Sequence, residues 1–477
     1  MKKITYSIYF ACAIAFTLYS CTEDFIDVES TIETEDALTA DKAVELVNAV
    51  YNPYLDWGMS SFSWIGISSI TSDDADKGSD PGDTGTDKDK MDALTFDATS
   101  LSFADIWTAH YNCIQRANQA ISRIEIFEGL DEDLRKRLIG EAKFLRAFTY
   151  FRLVKMFGGV PLIAKIPDEN TDPDSIISKS TKEQVYAQIE EDLNDAIEAL
   201  PLKSQYPDVE LGRATKGAAQ TLLAKVSMYQ GKWQQVMDLT NDVMDSKEYD
   251  LTPNYEDIWK ESGENNIESI FEIQCTASPI AAGIDGYSVT QGARGEGGWG
   301  WGFNTPSQDL IDSYEASDLR REATIIYRGE TLFDGRLVPN TVNNKYYNQK
   351  AYSSANSDAW ISGKNLRILR YAEVLLMNAE AATHVGGDVA SPLNRVRNRA
   401  GLGNATNPDR QAVWNERRWE LAFEHDRYFD LVRQGRAGMV MRAHGKLFVD
   451  GKHEVFPIPQ EQIDKAGGKL VQNNGYE

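Results

Sequence analysis

Between Tyr287 and Asn304 the chain reads YSVTQGARGEGGWGWGFN, aromatic rings and planar polar side chains strung on a glycine-rich backbone. Tyr287, Trp299, Trp301 and Phe303 offer flat apolar faces, and Gln291, Arg294 and Asn304 lie among them as hydrogen-bonding groups. Binding a sugar calls for that pairing: a ring under the C–H face, polar groups at the hydroxyls, all on an outward loop. Five glycines from Gly295 to Gly302 weaken the alternative in which the two tryptophans plug a core as a bulky strand. They also let the backbone come close to a ligand.

A second chemical stretch starts at Ser72 and reads SDDADKGSDPGDTGTDKDKMD. Asp73, Asp74 and Asp76 could accept hydrogen bonds from paired hydroxyls. Alternatively Asp74, Asp76 and Asp80, spaced around Gly78, could hold calcium, since oxygen ligands at alternate positions suit that hard ion, although the terminal bidentate Glu of an EF-hand loop is missing. A solvated acidic loop is the third reading. Trp57 and Trp64 stand beside this stretch as further candidate rings, and Arg367 could reach the same cleft or serve in a structural ion pair.

Catalytic constellations are missing from the sequence: there is no H-E-x-x-H, C-x-x-C, G-x-S-x-G or P-loop. Five histidines, at 110, 384, 425, 444 and 453, include no pair at metal spacing. Gly295-x-Gly297-x-x-Gly300 matches a dinucleotide pattern but runs into Trp301, Gly302 and Phe303 rather than a helix, so it could not cradle a pyrophosphate. Paired carboxylates leave a glycoside hydrolase as the runner-up, because sequence cannot place two of them across a scissile bond.

The elements that must position these groups are mostly helical. Apolar residues recur at helical spacing over Asp41–Leu55, Leu101–Phe127, Asp133–Phe157, Thr181–Leu200, Thr215–Tyr229 and Lys232–Ser246. Gly158-Gly159-Val160-Pro161 closes the third, since glycine accepts positive φ and proline cannot extend the ladder. Ala224–Met244, with a glycine turn at Gly231, has the pattern of a tetratricopeptide-like hairpin. Tyr54–Asp97 reads as an ordered surface loop anchored by Trp57, Phe62, Trp64 and Phe96. Residues 250–365 are loop-rich with β-prone pieces at Ser269–Gln274 and Ala323–Tyr327. Helices resume over Tyr371–Ala382 and Pro392–Ala400, then as one long element over Asp409–Gln434. The fold class is therefore mostly α, an α-helical scaffold of tetratricopeptide-like pairs with a loop-rich region carrying short strands.

Met1-Lys2-Lys3, an apolar run to Tyr19 and then Leu18-Tyr19-Ser20-Cys21 predict a lipoprotein signal over residues 1–20, with Cys21 as the lipidated amino terminus. Loss of Lys2 and Lys3 takes the net charge of the 477-residue chain from −24 to about −26. Such an acidic chain lacks the clustered cations that nucleic acid requires, and anionic headgroups repel it, so lipid alone would provide attachment. Cys113 and Cys275 remain, too far apart in sequence for a metal box, and read as buried thiols.

EAKFLRAFTYFRLVKMFGGVPL from Glu141, LRYAEVLLMNAEA from Leu369, LNRVRNRAGL from Leu393, ERRWELAFEHDRYFDLVRQGR from Glu416, and the closing EVFPIPQEQID and QNNGY together resemble the SusD/RagB family. The blocks span most of the chain beyond residue 20, in the family's order. The resemblance implies an N-terminal region over 21–246 and a C-terminal region over 247–477 within one domain. It implies a non-enzymatic, outward-facing outer-membrane lipoprotein that binds an oligosaccharide or polysaccharide and works as a lid on a SusC-like TonB-dependent transporter. It implies that the stretch before Pro306-Ser307-Gln308-Asp309-Leu310 borders the glycan site. Glu141 and Arg146, on an otherwise apolar helix, read as structural ion-pair partners.

Overall fold

Helix α1 (Ala40–Tyr51) turns its apolar stripe of Ala43, Val47 and Val50 inward and ends where Pro53 imposes a short 3-10 turn. The structure is a computed structural model that describes residues 39–83, 87–277, 286–354 and 362–477; the predicted signal and Cys21 lie outside them. Of residues 1–42 only the last four are described, and there Thr39 Oγ1 accepts from the Lys42 N–H at 3.3 Å. Residues 43–477 form the compact unit considered below.

After α1 the chain makes three tight turns of helix over 57–70 and enters strand β1 (Ala75–Gly78). This is the first departure from the sequence-based expectation. The segment from Ser60 to Ala75 is buried, Phe62 excepted, rather than laid on the surface. Trp64 is 5 % exposed, with the Arg152 guanidinium 3.5 Å above its ring and Phe429 stacked at 6.3 Å. It belongs to the core and cannot serve as a ligand platform.

Helices α2 (Leu101–Ile126), α3 (Glu132–Phe157) and α4 (Lys182–Ala199) pack side by side. Asp131 caps α3, accepting from the N–H groups of Asp133 and Leu134, and a Thr181–Gln184 capping box opens α4. From Leu138 onward α3 is buried on nearly every side, which puts it at the centre of the helical layer. Two of its buried charged residues are neutralised there: Glu141 accepts from Tyr51 (2.9 Å) and Arg213 (3.0 Å), and Arg146 grips Asp192 through two nitrogens. Burial still pushes the Glu141 carboxyl above its usual value. Helices α5 (Lys216–Tyr229) and α6 (Trp233–Asp245) form the expected hairpin, turning at Gly231 with φ +70°.

The loop-rich region carries β2 (Ser269–Ile273), the short helix α7 (Tyr287–Gln291), β3 (Phe303–Pro306), β4 (Ile325–Tyr327), β5 (Tyr346–Asn348) and β6 (Leu366–Arg370). They pair only in twos, all antiparallel: β1 with β3, β2 with β6, β4 with β5. The β1–β3 pairing matters most, because Ala75 opposite Pro306 and Gly78 opposite Phe303 join the acidic stretch to the tryptophan stretch.

Helices α8 (Tyr371–Val385), α9 (Ala390–Arg399), α10 (Arg410–Leu421) and α11 (Arg427–Arg433) complete the fold. The single long helix expected over 409–434 is broken, because Phe423 (φ 62°) and His425 (φ 70°) adopt left-handed backbone that no right-handed helix accommodates. The break lets successive polar residues of this segment reach different neighbours. Arg417 pairs with Glu373 and Asp430, Glu420 with Arg370, Arg399 and Arg320, Glu424 with Lys350, and Asp426 with Lys155 and Lys225. The family-like block is thus a latch between the helical layer and the loop-rich region. The carboxy-terminal strip closes over α3, with the Phe456 N–H on Met156 O at 2.7 Å.

Candidate functional site

The tryptophan loop is built by glycine. After α7 the chain folds back so that the Trp301 N–H reaches Val289 O (2.7 Å), the Trp299 and Gly300 N–H groups share Ala293 O, and Gly302 N–H reaches Gly292 O (2.8 Å). A Cβ on Gly300 would lie 2.4 Å from Val289 O, and Gly302 sits at φ +76°, so both positions require glycine. Gly295, Gly297 and Gly300 therefore serve loop closure and open no helix.

This fold-back sends the two tryptophans apart. Trp301 leans on Trp57 (centroids 5.9 Å) and Phe62 (6.1 Å), making a half-exposed aromatic wall with Phe303 behind it at 4.9 Å from Phe62. Trp299, also half-exposed, turns to the other side, where Tyr352 meets it edge-on at 5.5 Å and the Arg336 guanidinium lies 4.8 Å from its ring. They do not form one shared platform.

Three expected ligand contacts turn out to be framework. Tyr287 is buried, its hydroxyl 3.0 Å from His425 Nε2, whose Nδ1 faces Ser68 Oγ at 2.9 Å. Burial, helped by the Arg152 charge, pushes His425 down to about 3, so a neutral imidazole bridges the two hydroxyls. Asn304 is fully buried and donates to Gln291 Oε1 (2.8 Å), which also accepts from Asn348. Arg367 is buried between Glu264 and Glu272, each at 3.5 Å, and donates to Asn365 O and Lys260 O, which is the ion-pair role weighed from sequence.

Asp73 and Asp74 are likewise structural. Both are at most 2 % exposed; Arg427 clasps Asp73 through two nitrogens (2.8 and 2.7 Å), and Arg418 Nε donates to Asp74 at 2.7 Å. Burial raises both carboxyls, but the Arg427 and Arg418 charges outweigh it at Asp73 and hold that group far below its usual value, whereas for Asp74 burial wins. Neither is offered to solvent as a hydroxyl acceptor. Nor do Asp74, Asp76 and Asp80 converge: Asp76 faces His444 Nε2 at 3.5 Å, and Asp80 accepts from Gly82 N–H and Asn343 Nδ2. Among the described residues no three acidic, histidine or cysteine side chains gather as metal ligands.

What the β1–β3 junction does present is a polar rim next to Trp301. Ser79 N–H bonds to Gly302 O, and Arg294, about a third exposed, donates to Ser79 Oγ (2.7 Å) and Asp83 (2.8 Å). Asn343 and Asp80 continue that rim at 2.9 Å from each other. Of the polar candidates from the sequence, Arg294 stays accessible beside Trp301, and Asp76 is exposed where it faces His444. The partners of Trp301 were foreshadowed only weakly: Trp57 and Phe62 read as anchors of a surface loop, and nothing in their spacing announces a contact with a residue over two hundred positions away.

Elsewhere, Cys113 is buried against Thr149, with burial pushing its thiol up to about 11, and Cys275 is half-buried.

Two family models match, one described as the SusD family over residues 267–476 and one as starch-binding, associating with the outer membrane, over residues 24–228. A solved laminarin-binding SusD-like protein is 30 % identical, with 91 % of this chain and 99 % of that one aligned at a TM-score of 0.78. The chain belongs to the SusD family. Surface glycan-binding protein A from Bacteroides thetaiotaomicron, solved in complex with laminarihexaose, is 26 % identical, with 91 % of this chain and 99 % of that one aligned at a TM-score of 0.79. SusD-like protein P2 of Formosa agariphila is 28 % identical, covering 83 % of this chain and 86 % of the relative. These SusD-like neighbours are glycan-binding proteins and not enzymes, which sets the hydrolase alternative aside.

Proposed function

We propose that this SusD-family protein binds a neutral glycan on the cell surface and passes it to a SusC-like TonB-dependent transporter, held at the outer membrane by lipid on Cys21. The observation that carries the binding claim is the half-exposed wall of Trp57, Phe62 and Trp301, bordered by the Arg294–Asp83 rim. Tilted rings with a polar border suit a sugar, whose C–H face stacks while its hydroxyls meet fixed donors and acceptors. The outer-membrane description of the matched family model and the glycan ligands of the structural neighbours point the same way. Laminarin-type glucans are the first ligands to try, because two neighbours take them.

A glycan array probed with the soluble form tests the claim, followed by incubation with the best ligand and an assay for new reducing ends. Binding without new ends is the expected outcome. No binding to any glycan, or release of reducing ends, would contradict it. Co-purification with a SusC-like transporter tests the delivery step separately.

A further inference from the structure

Beyond the tryptophan loop, on the far side of Trp299, lies a groove of about 800 Å³ that no sequence motif announced. One wall is the 3-10 turn Tyr255–Trp259 with Lys260, another is the stretch from Ala316 to Ala323, and the third is a tight hairpin over 330–338. The hairpin is held by Val338 N–H on Glu330 O and Leu332 N–H on Arg336 O, both 2.8 Å, and it carries Phe333 at its tip, 44 % exposed. Leu319 stands at 62 % exposure on the opposite lip. Tyr352 and the Lys260 ammonium hold the inner side of the Phe333 ring, and the rest of the ring, with Leu319, gives the groove mouth an apolar surface on which a flat ligand face can lie.

The groove lies on the Trp299 side of the tryptophan loop, away from the Trp301 wall. Tyr352, itself buried, meets Trp299 edge-on at 5.5 Å and Phe333 edge-on at 5.7 Å, so the two accessible rings stand within two ring spacings of each other. Arg336 lies over both Trp299 and Tyr352, and Asp334 accepts from the Tyr352 hydroxyl at 2.7 Å, which fixes the hairpin against the tryptophan loop. At the rim Lys260 pairs with Glu256 and Asp257 and Arg321 pairs with Glu322, and with Glu330, Asp318 and Arg399 added the lining carries five carboxylates against three cations. That excess of carboxylates repels uronates and sulfated sugars and accepts hydroxyl hydrogen bonds.

We propose that this groove is a second contact for the same glycan, engaging neutral sugar units beyond those held at the tryptophan loop and so selecting long chains over short ones. The proposal rests on the glycan reading above. Phe333 stacks on a distal sugar while Glu322 and Lys260 meet its hydroxyls.

The test is a size series of neutral β-glucans, mannans and xylans, each from trimer to polymer, measured by calorimetry with wild type, Phe333→Ala, Glu322→Gln and Trp301→Ala. Phe333 sits at an exposed tip, so its truncation leaves the melting temperature unchanged; equal melting curves are the control. Wild type should bind polymer about tenfold or more tighter per chain than trimer, and Phe333→Ala should lose that gain while keeping trimer affinity. Trp301→Ala should weaken all lengths together. If wild type binds and Phe333→Ala and Glu322→Gln both keep the length gain, the groove proposal is overturned and the tryptophan site stands. If a uronate or sulfated polymer binds better than the neutral series, the charge argument is overturned. If wild type binds none of them, the glycan reading and this extension fall together.

Discussion

Replacing Asp73 by Ala strips Arg427 of its bidentate partner and leaves it with Asp74 at 3.8 Å. Asp73 is enclosed at 1 % exposure and the Arg427 side chain keeps 11 %, so the loss is that of a largely buried guanidinium without its counter-charge, about 3 kcal/mol. Asp73→Asn keeps the shape and one acceptor and should cost about 1.5–3 kcal/mol. The lesion also travels, because Asp73 O accepts from Ser307 Oγ (2.7 Å) and Asp74 O from Ser307 N–H (3.0 Å), the residue that ends the β1–β3 junction beside the tryptophan loop. Glycan affinity should therefore fall along with stability. Asp73 has its folded pKa depressed, so its contribution is present above the unfolded value near 4 and is lost as pH falls toward the folded one. The gap between wild type and Asp73→Ala should then narrow below about pH 4. Urea unfolding followed by circular dichroism at several pH values measures it. A gap under about 1 kcal/mol at pH 7, or one that does not change with pH, would refute the buried-pair argument.

Three further outcomes are expected. His425, pushed down to about 3, contributes stability in full above its unfolded value near 6.5 and loses it as pH falls toward 3; His425→Asn, which tolerates the left-handed backbone, should flatten the fall in melting temperature between about pH 6.5 and 4, and an unchanged slope would count against it. Chelation with EDTA should leave the melting temperature unchanged, since Asp74, Asp76 and Asp80 have separate protein partners; a loss of stability restored by calcium would reinstate the metal site. Cys21→Ala should move the protein from the membrane to the soluble fraction, and equal membrane recovery would rule out the lipid anchor.

The helical scaffold was legible because its punctuation is local. The Thr181–Gln184 box, the Gly231 turn and the Gly158 stop are each fixed by residues within a few positions. The site was legible only in part. Arg427 lies more than three hundred and fifty positions after Asp73, so sequence alone did not show that Asp73 and Asp74, at the start of the acidic stretch, are buried and paired. Phe423 and His425 carry no glycine signal for their left-handed backbone, so periodicity ran one helix through the break. The glycines did announce an unusual loop, but not that the fold-back held by Ala293 O and Val289 O turns Trp299 and Trp301 to opposite clusters. Tyr287 and Asn304, polar and adjacent to the rings, looked available; the His425 and Gln291 contacts that consume them come from elements the sequence could not place alongside.

The central claim is that the wall of Trp57 and Trp301 holds the sugar, and calorimetry on single alanine variants with the best array ligand tests it most directly. Each ring supplies roughly 150–250 Å² of stacking surface, more than any one exposed hydrogen bond contributes after exchange with water. Trp57→Ala and Trp301→Ala, both half-exposed in the structure, should keep the wild-type melting temperature within a few degrees and lose about tenfold or more in affinity, near 1.4 kcal/mol. Wild-type affinity in both folded variants would contradict the account.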